Sequence, residues 1–100
     1  MDITPQVLDE FKQRMHITHG AEDENLKRLL SFSYIYIQSK CGEFLLDENQ
    51  TGKELVFERT RYVYNDAAEY FDDNFLSMIN GFSIENIPVT TTTTEGDTNA

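Results

Sequence analysis

The spacing of apolar residues between positions 22 and 41 constrains the fold most. One set recurs every three or four residues and therefore shares one face of an α-helix: Leu26, Leu30, Ser33, Ile37 and Cys41. The run opens with three acids and is followed by Gly42, which are common start and stop signals of a helix. The segment therefore predicts a helix over about 22–41.

A second apolar stripe, formed by Leu29, Phe32 and Tyr36, lies beside the first on this helix. A chain of 100 residues has a thin core, which needs only one of the two stripes. We therefore expect one stripe to pack within the subunit and the other against a neighbouring protein. Tyr and Arg often anchor protein contacts. Three such residues are therefore added to this predicted contact surface: Tyr34, Arg61 and Tyr64.

Two other segments also have helical periodicity. The first covers about 4–15, with Thr4 as a plausible N-cap and Pro5 at the first helical position. The second covers about 54–80, with a possible break near Asn65, because Asn and Asp favour helix ends over helix interiors. Three aromatic residues of this second segment are predicted to complete the core: Tyr70, Phe71 and Phe75.

The composition changes from Phe82 onward. β-Branched residues, a proline and five consecutive threonines at 90–94 disfavour a helix and suit an extended segment. The sequence thus predicts an all-α bundle of about three main helices over residues 1–81 and an extended arm over 82–100. Such an arm can lie along a partner or add a strand to its sheet. Its predicted docking residues are Ile84, Ile87, Pro88 and Val89.

Charge is distributed unevenly along the chain. Eighteen acids against eight bases give a formal net charge of −10. All eight bases lie in residues 1–61, whereas seven acids and no base follow position 61. Proteins bind nucleic acids and anionic membranes largely through Lys and Arg, so both partners are disfavoured here. The lone Cys41, the lack of a long apolar run and the start MDITPQ favour a soluble protein made in a cytoplasm.

Residues suited to catalysis or metal binding are sparse. His16 and His19 could ligate a metal, and a metal-dependent enzyme that uses them stays an alternative hypothesis. Cys41 lies on an apolar stripe and is predicted to be a small core residue, not a nucleophile. The acids of the third helical segment have no recognisable pocket beside them. The sequence therefore predicts no catalysis, no cofactor and no bound metal.

Two stretches resemble the tailed-phage head–tail connector family, also called adaptor or head-completion proteins. HITHGAEDENLKRLLSFSYIYIQSKCG, residues 16–42, is similar to the family's opening, in which ITHDEDD often precedes an amphipathic helix and a glycine. ERTRYVYNDAAEYFDDNF, residues 58–75, resembles a later helix of the family, in which a run of the kind R-x-Y-N-D/E-x-x-x-x-F-x-x-N recurs. The two stretches cover about half of the chain.

The resemblance implies a small, mostly helical subunit of the virion head–tail junction, made in the cytoplasm of a bacterial host. It implies a closed ring of about twelve copies beneath the portal protein, with no enzymatic activity or cofactor. The ring would extend the DNA channel and offer a docking surface to a neck or tail-completion protein. An acidic channel repels phosphate, so DNA passes without binding. The predicted channel-facing acids are Asp66, Glu69, Asp72 and Asp73.

The strong negative charge also suits a second kind of protein, a small acidic inhibitor that mimics DNA. Such an inhibitor would occupy a basic host DNA-binding protein, and its affinity would fall steeply with salt. A monomeric mimic has less need for two apolar stripes on one helix. The connector is therefore the leading hypothesis and the DNA mimic is its alternative.

Overall fold

The computed structural model describes residues 3–86, and these residues form five α-helices with no strand. The helices are α1 (Pro5–Met15), α2 (Asp23–Cys41), α3 (Gln50–Tyr64), α4 (Phe71–Asn74) and α5 (Leu76–Glu85), with a 3₁₀ turn at Ala68–Tyr70 between α3 and α4. The predicted all-α class is confirmed. The finer prediction of about three main helices is not confirmed, because the third predicted segment is divided after Tyr64, at the break that the sequence allows near Asn65.

Side-chain and backbone caps fix the first two helices. The Thr4 hydroxyl accepts a hydrogen bond from the Val7 amide at 3.2 Å, which begins α1. His16 ends α1 in the left-handed region, at φ 60°. Gly42 follows α2 at φ 92°, a conformation in which a residue without Cβ is unstrained. α1 begins at Pro5, the predicted first helical position, and α2 begins one residue later than the sequence predicts.

The third predicted helix, 54–80, is interrupted where its Asn-Asp pair lies. α3 begins earlier than predicted, because the Asn49 side chain accepts a hydrogen bond from the Gly52 amide at 2.8 Å and caps the helix. The helix ends at Tyr64, and Asp66 adopts a left-handed conformation with φ 62°. Asn and Asp tolerate this region better than most residues, which explains why the chain turns here.

The arm predicted from Phe82 onward does not begin there. α5 runs through Gly81 and continues to Glu85, so residues 82–85 are helical. Phe82 is buried, and its ring meets the Phe44 ring edge-on with 5.2 Å between centroids. This burial outweighs the weak helix propensity of glycine. The predicted docking residues Ile87, Pro88 and Val89 lie outside the described residues.

α2 lies at the centre of the packing, in contact with α1, α3 and α5. Its first apolar stripe is buried along its whole length, as predicted. The other core residues come from every remaining helix except the 3₁₀ turn and from the α2–α3 connection: Val7, Leu8, Phe11, Phe44, Leu46, Leu55, Val56, Phe57, Phe71, Ile79 and Phe82. Because α2 is covered on one side only, its opposite side is left at the surface.

Candidate functional site

The exposed side of α2 carries large apolar residues. Phe32 is 58% exposed and Ile35 is 47% exposed, with the exposed Arg28 one turn before Phe32. These three residues are spaced i, i+4, i+7 and share one side of the helix; they are called the α2 outer face below. Phe32 belongs to the second stripe predicted from the sequence, and Leu29 of that stripe is half-buried. Ile35 and Arg28 were missed, although their spacing from Phe32 would have revealed them.

Tyr34 was predicted to lie on the contact surface, and the structure corrects this. Its side chain is buried, its ring lies 5.2 Å from the Phe44 ring, and its hydroxyl donates a hydrogen bond to the Phe44 carbonyl. Burial raises the pKa of the Tyr34 phenol. Because this internal acceptor satisfies the hydroxyl, the ring can enter the core without an unpaired polar group.

Tyr36 is held by contacts within the subunit. The Arg59 guanidinium lies over its ring at 4.0 Å from the centroid, and Lys40 lies over it at 5.3 Å. Its hydroxyl donates to the Asp72 carboxylate at 2.6 Å. Burial and this hydrogen bond raise the pKa of the phenol. Tyr36, a predicted contact residue, and Asp72, a predicted channel acid, are therefore bonded to each other. Together with Arg59 they link α2 and α3 to α4, and these three residues are called the clasp below.

Arg59 is the part of this clasp whose removal we expect to matter. Its guanidinium also donates to the buried Ser33 hydroxyl at 3.2 Å, and burial lowers its pKa. Arg59→Ala is expected to lower the free energy of unfolding by about 1–2 kcal/mol, measured by urea denaturation. Lys40→Ala is the matched control, since Lys40 is exposed and farther from the ring, and it should cost less than about 0.5 kcal/mol. Equal effects of the two changes would contradict the clasp.

The other two predicted contact residues, Arg61 and Tyr64, are half-buried and bonded internally. Arg61 forms an ion pair with Glu58 at 2.7 Å. The Tyr64 hydroxyl donates to the Glu22 carboxylate at 2.9 Å, and this bond raises the pKa of the phenol. The Tyr64–Glu22 bond fixes the end of α3 against the start of α2, whereas the Arg61–Glu58 pair lies within α3. They leave Arg61 and Tyr64 less available to a partner than Phe32 is.

The three aromatic residues predicted as core have different environments. Phe71 is 1% exposed and stacks on Phe75, which is half-buried against the core, with 5.0 Å between ring centroids. Tyr70 is 58% exposed, so its prediction as a core residue was wrong. The break after α3 changes the helical register, and this turns Tyr70 outward.

A second apolar surface lies on α5. Leu76 is 56% exposed and Ile84 is 69% exposed, and the exposed Asn80 lies midway between them at helical spacing. The exposed Asp73 lies three residues before Leu76, at the end of α4. Leu76, Ile84 and Asp73 are called the α5 outer face below. Ile84 was predicted as a docking residue of an extended arm, whereas the structure shows it on a helix.

The predicted channel acids lie on an acidic stretch without cations. Asp66, Glu69, Asp72 and Asp73 are all exposed. Within residues 3–86, the ion pairs join only partners between positions 10 and 61. Asp72 accepts the Tyr36 hydrogen bond, and the other three acids have neither an ion pair nor a side-chain hydrogen bond to their carboxylates in the described chain.

Within residues 3–86, the residues suited to catalysis or metal binding do not form a cluster. Across residues 3–86 there is no group of three or more His, Cys, Asp or Glu side chains arranged to hold a metal ion. The exposed His19 ring accepts a hydrogen bond from the Ala21 amide at 3.3 Å. Cys41 is buried as predicted, and burial raises its thiol pKa, which makes it a poor nucleophile.

No helix of the described chain is both long enough and apolar enough to cross a membrane.

Comparisons with family models, with curated proteins and with solved structures found no match to this chain.

Proposed function

We propose that this protein is a structural subunit of a tailed-phage head–tail connector. The supporting observation is the division of α2 between a fully buried stripe and an exposed apolar face. Phe32 and Ile35 remain at the surface although the core is otherwise well supplied with aromatic and aliphatic side chains. Neighbouring exposed apolar residues of this size are typical of a protein–protein contact. A connector subunit needs such a contact with its neighbours in a ring.

The distribution of acids is consistent with a DNA channel. Asp66, Glu69 and Asp73 are exposed and unpaired, so their negative potential reaches the solvent undiminished by a nearby cation. In a ring of about twelve copies these potentials add, and they repel the phosphates of DNA at distances of about 10 Å or less at moderate salt. Some of these acids would face the channel. DNA would then slide through without being held.

The remaining parts of the proposal follow from the resemblance of residues 16–42 and 58–75 to the connector family. The ring would bind the portal protein on one side and a neck or tail-completion protein on the other. It would work without catalysis or cofactor, at the head–tail junction of the virion, after synthesis in the bacterial cytoplasm. The segment after Glu85 would dock on one of these partners.

Native mass spectrometry of the chain with the portal protein encoded by the same phage genome tests this function. We expect a complex in which about twelve copies associate with one portal ring. Phe32→Asp should weaken the assembly by at least about tenfold, because it places a charge in the apolar contact. Thr18→Asp, which adds the same charge at an exposed position of the α1–α2 connection, should leave assembly unchanged.

The same experiment separates the connector from the DNA mimic. A chain that ignores the portal but binds a basic DNA-binding protein, with an affinity that falls steeply as salt is added, would be an acidic inhibitor. Failure to bind either protein would overturn the connector proposal as well.

A further inference from the structure

We infer that neighbouring copies in the ring meet through two different surfaces, the α2 outer face of one copy and the α5 outer face of the next. This inference rests on the proposed function, because it takes a second copy of the chain as the partner. The contact is heterologous, so each copy uses both faces and can bind one neighbour on each side.

The first reason is that the chain has two exposed apolar helix faces. Phe32 and Ile35 form one, and Leu76 and Ile84 form the other. α2 and α5 already pack together inside the subunit, where the Cys41 thiol lies 3.6 Å from the Ile79 carbonyl oxygen. The two outer faces are the sides that this packing leaves uncovered. A head-to-tail contact between copies removes both from water at once.

The second reason is that the charges on the two faces are opposite and unpaired. Arg28 is exposed, and in the described chain its side chain bonds only to the Asn25 amide oxygen, at 3.2 Å. Asp73 is exposed and forms no ion pair within residues 3–86. Arg28 lies one helical turn before Phe32 on α2, and Asp73 lies three residues before Leu76, on the short helix α4 that precedes α5. An α2–α5 contact can therefore pair Arg28 with Asp73 while the apolar residues meet.

The same charges disfavour a symmetric contact of the α5 outer face with itself. Between positions 62 and 86 the chain has five acids and no base, so two such surfaces would repel each other. The exposed bases without an ion pair that could neutralise this surface, Arg28 and Lys40, lie on α2 of the same chain. A second copy therefore supplies the complementary surface. This assignment removes Asp73 from the possible channel acids and leaves Asp66 and Glu69.

Charge exchange tests the contact in the assembly with the portal. Arg28→Glu and Asp73→Lys should each lower the affinity of ring assembly by about tenfold, since each places like charges together. Arg28→Glu with Asp73→Lys should restore assembly to within about threefold of the natural chain. Arg28→Glu with Glu69→Lys, which has the same net charge, is the control and should not restore it.

Cross-linking gives an independent readout of the same contact. Copies with Arg28→Cys are mixed with copies with Asp73→Cys, assembled on the portal and mildly oxidised. We expect disulfide-linked dimers in the mixture, whereas either variant alone should give few. Two results would overturn this inference and leave the connector function intact. One is disulfide-linked dimers formed by Arg28→Cys copies alone. The other is a charge exchange that fails to restore assembly while the natural chain still forms rings. If the natural chain forms no ring on the portal, both proposals fail.

Discussion

Phe71→Ala is expected to lower the free energy of unfolding by about 3–5 kcal/mol. Phe71 is 1% exposed and lies against two other rings, 5.8 Å from Tyr62 and 5.0 Å from Phe75 between centroids. Its removal leaves a cavity where α4 packs on α3. Since small domains are stable by only about 5–15 kcal/mol, the loss would be a large fraction of the total. Urea denaturation followed by circular dichroism measures it.

Tyr70→Ala is the matched control for this change, because Tyr70 is the preceding residue in the chain and is also aromatic. Its side chain is 58% exposed, so its loss should change the free energy of unfolding by less than about 1 kcal/mol. If the two variants lose similar stability, the break between α3 and α4 has been placed wrongly. A single uninterrupted helix over 54–80 would then have to be reconsidered.

The second large effect is expected at Gly52, in the first turn of α3. A Cβ atom at this position would lie closer than 3.0 Å to three carbon atoms of the Phe44 ring. That ring cannot move freely, because it is buried between Tyr34 and Phe82, with 5.2 Å to each ring centroid. Gly52→Ala should therefore cost about 1–3 kcal/mol in packing strain, only partly offset by the better helix propensity of alanine.

Gly81→Ala provides the control with the opposite expected sign. Gly81 is also helical, but a Cβ atom there would have no neighbour within 4 Å. The substitution should stabilise the protein by about 0.5–1 kcal/mol through helix propensity alone. Thermal or urea unfolding measures the free energy of unfolding of both variants. The difference between the two values reports the close approach of Phe44 to the α3 backbone. Stabilisation by both substitutions would contradict that approach.

The sequence predicted α1 and α2 well because local signals and tertiary packing agree there. Thr4 caps the first helix, and Gly42 follows the second at a left-handed φ. The third segment was harder to predict, since its apolar spacing continues across Asn65 and Asp66 although the chain turns at these residues. The sequence predicts that the third segment ends near position 80, but burial of Phe82 continues α5 past Gly81 to Glu85.

The candidate site was predicted in part. Periodicity identified Phe32 as a residue of the second stripe, and the structure exposes it. Periodicity cannot show which polar partner a tyrosine will find. Tyr34 reaches the Phe44 carbonyl, a partner ten residues away, and Tyr36 reaches Asp72 from another helix. The α5 outer face was missed because Ile84 was assigned to an extended arm.

Electron microscopy of DNA-filled, tailless capsids mixed with this protein tests the connector function most directly. We expect added density at the single portal vertex of each capsid, with the symmetry of a closed ring around the DNA channel. The Phe32→Asp variant should leave that vertex bare under the same conditions, whereas Thr18→Asp should decorate it. Capsids that remain bare with the natural chain, or density spread over many vertices, would contradict the connector function.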